Sequence, residues 1–459
     1  MTIAENATQK KYRVLFCVPA LYGHLHPSLA IAKHLLQKGH EVAYSTGSAA
    51  KKILNKNGIH EIYPRDTYQE AFDKVGVAPG IIKNWYTAAK EFSKDIVVQS
   101  LHELIHAFES FKPDVAYIDT TDFFAVAVAE RCNVPYVHGS ATAIFYFEKD
   151  IPPIGTGWNL NSALLNRFRL IPYLATTAPF MIKAYLTQRN ALKAIDPSWK
   201  TSNISGVSPY LFMLFSTDKL EYQRKMFVPQ IFYVGPSILE PDEDQFPDFP
   251  WDRLDKDKPL VYIATGTLFP EVYNKFYKEA LKALSEETFP LPVQVVMAIG
   301  RESSIEELGE IPPNFIVVNY APQVKLIEKA NVVVTHGGVN SVNETLTYGK
   351  PMLVAYLGRD LIEMAQRIAF NGAGIRINAR HANARKIKNA MVQLLTQPKY
   401  TRSAEGIMHS FNRCGGAKTA AGLIERLADT GKPILRRIGA PITLESIDDL
   451  DVYLESSIE

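Results

Sequence analysis

The sequence predicts an α/β protein in which two doubly wound parallel sheets face each other across a cleft. Short apolar segments typical of buried parallel strands alternate with amphipathic helical segments, in two separate runs. An acidic segment with three prolines separates the two runs. The length of 459 residues exceeds one compact core and suits domains of ~150–200 residues each. Ligands of such sheets bind beyond the carboxyl ends of the strands, so we expect the site in the cleft.

Composition and charge exclude several classes of protein. Hydrophobic residues make up 47% and charged residues 21%, which is the balance of a globular chain. The net charge of +2 gives no basis for nucleic-acid binding by phosphate neutralisation. The distant cysteines Cys17, Cys132 and Cys414 exclude a disulfide framework and a CxxC metal site. With a polar start and no apolar run of ~18 residues, we expect a cytoplasmic protein without a transmembrane segment.

The first run begins with a clear βαβ unit. Tyr12–Val18 is predicted to be a buried strand, and Pro19–His26 a loop after it. Pro27 is expected to open a helix that Gly39 ends, before a second strand at Glu41–Ser45. Further predicted elements are strands at Pro113–Asp119, Val134–His138 and Leu211–Phe215 and a helix at Phe123–Arg131. The aromatic, proline-containing stretch 151–196 is expected to be irregular.

The βα pattern restarts after the acidic segment Glu240–Trp251. Strands are predicted at Leu260–Ala264, Val293–Ala298, Phe315–Val318, Val332–Thr335 and Met352–Ala355. We therefore expect a first domain over 1–236, a linker over 237–258 and a second domain over 259–431. The remaining segment, 432–459, ends in the strongly acidic stretch Ile442–Glu459. That segment is either a solvated tail or packs back on the first domain.

A candidate anion site lies where the strand ending at Thr335 runs into the turn His336–Ser341. Its two glycines let the backbone approach a ligand closely, and a helix is expected to begin near Ser341. The amides of Asn340 and Ser341 would then face an anion at a helix N-terminus. Glu344, about one turn later, could accept hydrogen bonds from a ribose diol. An ordinary strand–turn–helix with a capping serine explains the glycines and Ser341 equally well.

The wider string resembles the nucleotide-sugar signature of family 1 glycosyltransferases, the UDP-glycosyltransferase superfamily of plant secondary-product and bacterial macrolide-type enzymes. The matching residues are Tyr320-x-Pro-Gln323, Thr335-His-Gly-Gly-x-Asn-Ser341, Glu344, Gly349-Lys-Pro-Met352 and Asp360. Val261–Thr267 and Val234-Gly-Pro236 are weaker matches. The resemblance implies the GT-B fold, in which two Rossmann-like domains bind the acceptor and the donor in that order.

Roles follow from the resemblance position by position. His336, Gly338 and the amides of Asn340 and Ser341 would hold the diphosphate with help from Thr267, and Tyr320 would stack on the base. Gln323 and Glu344 would bind the ribose, and Asp360 would hold hydroxyls of the transferred sugar. The chain departs from the family at Leu361, where glutamine is usual, and at Tyr356, where proline is usual. Because leucine cannot hydrogen-bond a sugar hydroxyl, glucose is only the default donor sugar.

A candidate general base lies in the first βα loop, at the carboxyl end of a strand. A histidine held by a carboxylate suits proton abstraction from an acceptor hydroxyl. Spacing alone leaves His24 and His26 as candidates for the base, and Asp119 and Asp122 for its partner. The alternative is a helix-start histidine with an aspartate that caps the Phe123–Arg131 helix. The family resemblance selects His24, in Gly-His-x-x-Pro, and Asp119.

These features predict an inverting glycosyltransferase that moves a hexose from a UDP-sugar to a hydroxyl of a small hydrophobic acceptor. Aromatic candidates for the acceptor pocket are Phe145, Tyr146, Phe147, Trp158, Tyr173, Phe180 and Tyr185. No cofactor or metal is expected, and the strings Asp242–Asp244 and Asp449–Asp451 are interpreted as solvated. We expect a monomer or homodimer, and a lipid acceptor would allow peripheral membrane contact through 151–190.

Three other functions remain as alternatives. A GT-B-fold epimerase would convert the nucleotide sugar without an acceptor. A non-catalytic partner of another glycosyltransferase is disfavoured because His24 and His336 are both present. An NAD-dependent dehydrogenase is disfavoured because no GxGxxG follows a predicted strand.

Overall fold

The protein is described here by a computed structural model. It describes residues 10–76, 87–88, 90–140, 148, 151–153, 155–160, 163–199, 206–239, 249–266, 270–300, 303–358 and 360–454. These residues form two all-parallel sheets with helices on their faces, which confirms the predicted fold class. Among the described helices, none combines the length and the apolar character needed to cross a bilayer.

The first sheet has seven strands in the order β3-β2-β1-β4-β5-β6-β7. The strands are β1 Arg13–Cys17, β2 Glu41–Thr46, β3 Glu61–Pro64, β4 Val115–Asp119, β5 Tyr136–Ser140, β6 Leu211–Leu214 and β7 Ile231–Tyr233. The helices are Tyr22–Gln37, Lys51–Lys56, Asp66–Gly76, Lys94–Phe111, Phe123–Arg131 and Ala163–Ile195. The strand order reverses between β1 and β4, so the loops after these two strands border a crevice.

The second sheet has six strands in the order β10-β9-β8-β11-β12-β13. The strands are β8 Leu260–Ala264, β9 Gln294–Ala298, β10 Phe315–Val318, β11 Val332–Thr335, β12 Met352–Tyr356 and β13 Gly374–Asn378. The helices are Pro270–Leu284, Gln323–Lys329, Val339–Thr347, Asp360–Phe370, Ala384–Thr396, Pro398–Arg413, Ala417–Thr430 and Leu450–Tyr453. Here the order reverses between β8 and β11, which places a second crevice after these strands.

The first helix begins at Tyr22, so the prediction that Pro27 opens it is wrong. The backbone N–H groups of His24 and Leu25 donate to the carbonyl of Leu21 at 3.0 and 2.8 Å. Pro27 lies inside the helix, where it removes one N–H donor. Burial of the apolar face that follows, including Leu29, stabilises the helix despite this loss. His24 therefore lies in the first helical turn.

The segment predicted to be irregular contains a helix of 33 residues, Ala163–Ile195, which corrects that prediction. Pro172 and Pro179 lie inside it. The helix itself has no glycine, and its C-terminal end is anchored because Ala191 and Leu192 pack, fully buried, with the Lys94–Phe111 helix. The helix was not predicted because its sequence contains two prolines and has a weak helical periodicity of apolar residues. Tertiary packing stabilises it instead of an amphipathic pattern.

The end of the chain contacts the first sheet. The N–H of Tyr233 in β7 donates to the carbonyl of Ile442 at 2.8 Å, and the N–H of Leu444 donates to the carbonyl of Tyr233 at 2.7 Å. Arg436 is buried and its Nη1 donates to the carbonyl of Ala440. Just before this segment, the Ala417–Thr430 helix packs on the Tyr22–Gln37 helix. The second domain is thus tied to the first through consecutive elements of the C-terminal region.

Candidate active site

His24 and Asp119, which are 95 positions apart, meet in the crevice of the first sheet. His24 follows β1 and Asp119 ends β4, which are neighbouring strands on either side of the reversal in strand order. The distance from His24 Nδ1 to Asp119 Oδ2 is 2.9 Å. The histidine side chain is 18% exposed and the aspartate side chain 3% exposed. The imidazole therefore reaches the cleft while its carboxylate partner stays behind it.

Asp119 is held in its ionised form despite its burial. Burial alone would raise its pKa, but the neighbouring His24 charge and hydrogen bond and two donors of Thr121 outweigh that effect and lower the pKa. The N–H and Oγ1 of Thr121 both donate to Asp119 Oδ1, at 2.9 and 2.5 Å. The fixed carboxylate orients the imidazole through Nδ1 and stabilises its protonated form.

The competing residues have other partners. The ring of His26 lies against that of Tyr22, with centroids 3.7 Å apart, and burial lowers the His26 pKa to about 4. Asp122 is fully buried, pairs with Arg65 and caps the Phe123–Arg131 helix by accepting from the N–H of Ala125 at 3.1 Å. The structure therefore assigns the cap to Asp122 and leaves Asp119 with the histidine.

The His336 turn is closely packed around its glycines. Gly337 has a φ of 95°, which favours glycine, and a Cβ there would come within 2.8 Å of Val354 Cγ1. A Cβ on Gly266, after β8, would lie 3.0 Å from Cε1 of His336, and one on Gly338 would overlap the same ring. The imidazole of His336 is therefore held between backbone that follows the two central strands of the second sheet.

The helix Val339–Thr347 begins directly after this turn. Its N-cap residue is Gly338, which has no side chain that could occupy the N–H groups of the first turn. The first turn also contains no acidic residue. The N–H groups of a helix start carry partial positive charge and attract an anion. The amides of Asn340 and Ser341 at this helix start remain the predicted site for a diphosphate.

Gln323, Ser341 and Glu344 form one hydrogen-bonded group beside the helix start. The Nε2 atom of Gln323 donates to Glu344 Oε2 at 2.6 Å and to Ser341 Oγ at 3.3 Å. Burial raises the pKa of Glu344 to about 7, and the Gln323 donor only partly opposes this effect. Ligand hydroxyls that donate hydrogen bonds to Glu344 would stabilise the ionised form of this carboxyl group.

The two crevices meet across the cleft. The Nδ2 atom of Asn340, at the start of the Val339–Thr347 helix, donates to the carbonyl of Tyr22 at 3.4 Å. His24 is thus in the same helical turn as a residue that contacts the candidate donor site.

Other predicted donor residues are described less fully. Tyr320 is 40% exposed beside Gln323, as a base-stacking ring requires. Asp360 begins the helix Asp360–Phe370, but its side chain is not among the described parts of the structure. Thr267 lies outside the described residues. The side chain of Leu361 is 9% exposed, and its carbonyl oxygen would lie 3.1 Å from a Cβ on Gly337.

A buried charged cluster joins the two domains, and the sequence analysis missed it. Arg367 lies on the Asp360–Phe370 helix, and its guanidinium pairs with Glu221 of the first domain at 2.9 Å and with Glu363 at 3.0 Å. Glu363 also accepts the N–H of Gly157, in the first domain, at 3.0 Å. The spacing of Glu363 and Arg367 indicates a helical pair, but nothing in the sequence points to Glu221.

The candidate acceptor aromatics are only partly described. Trp158 and Tyr173 contact edge to face, with ring centroids 6.0 Å apart. Tyr185 is half-buried and Phe180 lines a cavity with lysines. Phe145, Tyr146 and Phe147 lie outside the described residues.

Comparisons with known proteins agree with this geometry. Residues 284–412 match the family described as Erythromycin biosynthesis protein CIII-like, C-terminal domain. The chain is 26% identical to 4'-demethylrebeccamycin synthase of Lentzea aerocolonigenes, over 90% of this chain and 99% of that protein. It is also 26% identical to the NDP-glycosyltransferase YjiC of Bacillus subtilis (strain 168), over 91% of this chain and 97% of that protein.

A solved structure extends the agreement to the fold. The structure of the glycotransferase of kitacinnamycin superimposes with a TM-score of 0.70 at 23% identity, covering 91% of this chain and 99% of that one. Similarity at this level concerns the arrangement of the two sheets. The signature around His336 and relatives that match over nearly their whole length support a family 1 glycosyltransferase, and the chain is a glycosyltransferase enzyme of GT-B fold.

Proposed function

We propose that this enzyme transfers a hexose, with inversion, from a nucleoside diphosphate sugar to a hydroxyl of a small hydrophobic acceptor. One observation carries the proposal: the His24–Asp119 pair lies across the cleft from the open start of the Val339–Thr347 helix, which Asn340 joins to Tyr22. A base and an anion site that face each other are what a direct displacement at a sugar carbon requires.

The proposed step is a single displacement. With Nδ1 of His24 donating to Asp119, the imidazole carries its basic lone pair on Nε2. Nε2 takes the acceptor proton as the acceptor oxygen bonds to the anomeric carbon, while the bond from that carbon to the diphosphate oxygen breaks. One displacement inverts the anomeric centre. The leaving diphosphate gains negative charge, which the amides at the helix start stabilise.

The donor is proposed to be a UDP-hexose, with glucose as the default sugar. In this scheme Gln323 and Glu344 bind the ribose, Tyr320 stacks on the base and Asp360 holds the sugar hydroxyls. The group formed by Gln323, Ser341 and Glu344 supports a diol site at that position. The name of the Bacillus subtilis relative leaves the nucleotide general, so dTDP-sugars belong in the test.

The scheme uses no metal, because helix-start amides and His336 take the place that Mg²⁺ has in many diphosphate sites. A cytoplasmic location and a hydrophobic or aromatic acceptor are further parts of the proposal. The edge-to-face pair of Trp158 and Tyr173 supports an aromatic acceptor surface in the first domain.

A donor and acceptor screen tests the proposal. The purified chain is incubated with UDP- and dTDP-sugars, with and without a mixed library of hydrophobic alcohols and phenols, and products are analysed by mass spectrometry and NMR. We expect sugar transfer only with an acceptor, and a β-linked product from an α-linked donor. A retained anomeric configuration would contradict the single displacement. Conversion of the donor sugar without acceptor would instead assign an epimerase.

A further inference from the structure

The long helix Ala163–Ile195 has an exposed apolar face. Phe168, Ile171 and Ile182 are 70%, 73% and 57% exposed. Leu174, Met181 and Leu186 are exposed as well. At 100° per residue these six side chains lie within an arc of about 140°. The buried residues Thr177 and Ala191 lie outside this arc, whereas Leu192 lies within it at the C-terminal end, where the helix packs on the Lys94–Phe111 helix. The exposed apolar face is therefore confined to the part of the helix from Phe168 to Leu186.

The charge of this helix has a single sign. Residues 163–195 contain the cations Arg167, Arg169, Lys183, Arg189 and Lys193, and no aspartate or glutamate. By the same rotation, the exposed Lys183 lies about 60° beyond one edge of the apolar arc, Arg189 lies within the arc and Arg169 lies on the opposite side. Exposed apolar side chains accompanied by cations and by no acidic residue are typical of helices that lie in a membrane interface.

A cavity of about 450 Å³ brings Lys183 together with lysines of the neighbouring segment. It is lined by Lys90, Lys94 and Lys183, together with Phe92 and Phe180. The acidic residue next to it, Glu91, lies 3.4 Å from Lys74 and 3.8 Å from Lys90. Lysines from two separate elements therefore converge beside the apolar arc.

We propose that this face binds the surface of an anionic phospholipid bilayer. The apolar arc enters the boundary between headgroups and acyl chains, while Lys183 and its neighbours reach lipid phosphates. Charge complementarity favours a lipid surface over a protein partner, because protein interfaces are depleted of lysine. This binding is separate from the proposed chemical step, since His24, Asp119 and the candidate donor residues lie on other elements.

Vesicle co-sedimentation of the full chain tests the proposal. The two vesicle types are phosphatidylcholine alone and phosphatidylcholine mixed in equal parts with phosphatidylglycerol. We expect sedimentation with the anionic vesicles only, and release at high salt. The variants are Ile171→Asp/Ile182→Asp and Lys183→Glu. Matched controls are Ile438→Asp, at an isoleucine that is 83% exposed elsewhere, and Lys432→Glu.

The double variant should weaken vesicle binding by about tenfold or more, and Lys183→Glu by a few-fold, while the two controls bind like wild type. Thermal unfolding of each variant at wild-type temperature shows that the fold is retained. Failure of the wild-type chain to bind anionic vesicles would overturn the proposal. So would equal losses in variants and controls. A dimer in analytical ultracentrifugation that Ile171→Asp/Ile182→Asp abolishes would assign the face to a second copy of the chain instead.

Discussion

Asp119 and Asp122 lie in one loop and have different partners. Asp119 accepts from His24 and Thr121, whereas Asp122 pairs with buried Arg65 and caps a helix. A carboxylate that orients a base matters for the reaction, while a carboxylate that neutralises a buried guanidinium matters for stability. The sequence alone leaves both residues as candidates, because neither burial nor hydrogen-bond partners can be derived from their spacing.

Asparagine at each position should separate the two roles. Asp119→Asn should lower kcat by about 10²–10³-fold, since the imidazole loses the charge that stabilises its protonated form. Nucleotide affinity should not change. Asp122→Asn should keep most of the activity per folded molecule and lose about 2–4 kcal/mol of stability, because Arg65 loses its counter-charge. Steady-state kinetics and urea unfolding measure both. The roles assigned here are wrong if the two phenotypes are exchanged.

Glu344 should link donor binding to pH. Its pKa in the folded chain is raised from 4.5 to about 7, so the folded protein holds a proton that the unfolded chain releases between these values. The contribution of Glu344 to the free energy of unfolding therefore falls as the pH rises from about 4.5 to 7. We expect Glu344→Gln to be more stable than wild type at pH 8, by about 1–3 kcal/mol, and to bind nucleotide more weakly.

Calorimetry in buffers of different ionisation enthalpy checks the binding half of this prediction. Ribose hydroxyls that donate to Glu344 favour its charged form, so nucleotide binding at pH 6 should release protons in wild type and not in Glu344→Gln. Equal proton release by both proteins would remove Glu344 from the diol site.

Leu361 tests how the donor sugar is recognised. Leu361→Gln places the family's usual amide next to the candidate sugar site, and it should shift the ratio of kcat/KM values between donor sugars by roughly 5- to 100-fold. Leu361→Met is the matched control, because it conserves volume and adds no hydrogen-bonding group. If both variants keep the wild-type donor profile in competition assays, this side chain does not discriminate between sugars.

At the scale of elements, strongly apolar strands were predictable and weakly apolar or very short ones were not. The central strands β8 and β11 have the predicted bounds because they are apolar segments buried on both faces, and the apolar edge strand β10 has them as well. By contrast, β3 at Glu61–Pro64 is an edge strand of half-exposed residues, and β7 has three residues. Such strands have weak patterns, since their pairing partners and not their composition define them.

The Asp360–Phe370 helix is held by charges from both domains. Arg367 is 2% exposed, and its guanidinium lies between Glu221 and Glu363 and 4.6 Å from the ring centroid of Tyr222. A buried cation with two carboxylates and an aromatic face is well compensated, but loss of one member leaves charge uncompensated. The cluster fixes the helix that begins at Asp360 relative to the first domain.

Arg367→Met should therefore destabilise the protein by about 3–5 kcal/mol, because it leaves two buried carboxylates without their cation. The triple variant Glu221→Gln/Glu363→Gln/Arg367→Met should recover much of this loss. Arg413→Met, at a surface pair with Glu445, is the control and should change stability little. Urea midpoints give the comparison. A midpoint for Arg367→Met equal to that of Arg413→Met would contradict the role of the cluster.

At the scale of the whole molecule, the contact between the two domains could not be predicted from the sequence. Motifs predicted each half of the site, because His24 and His336 follow recognisable strands. The bond from Asn340 to the carbonyl of Tyr22 joins residues 318 positions apart, and the bond from His24 to Asp119 joins residues 95 apart. The bond from Asn340 to Tyr22 depends on how the two domains pack, whereas the bond from His24 to Asp119 depends on the pairing of β1 with β4 in the first sheet. Local sequence patterns encode neither of these contacts.

The connection between the domains also uses the end of the chain. The Ala417–Thr430 helix of the second domain packs on the Tyr22–Gln37 helix, and Glu425 accepts from Lys38 at 2.7 Å and lies 2.8 Å from His40 Nε2. The helix that carries His24 is thereby supported by the second domain at its far end and contacts it through Tyr22 at its start. These contacts therefore fix the position of the candidate base His24 relative to the amides at the start of the Val339–Thr347 helix.

The most direct test compares nucleotide binding and sugar transfer in His24→Ala. Calorimetry measures the Kd for UDP, and a coupled assay measures transfer to an acceptor found in the screen. We predict a Kd within about twofold of wild type, because the diphosphate lies on the opposite domain, and a loss of about 10²–10⁴-fold in kcat. Wild-type turnover by His24→Ala would contradict the assignment of this histidine as the base facing the diphosphate site.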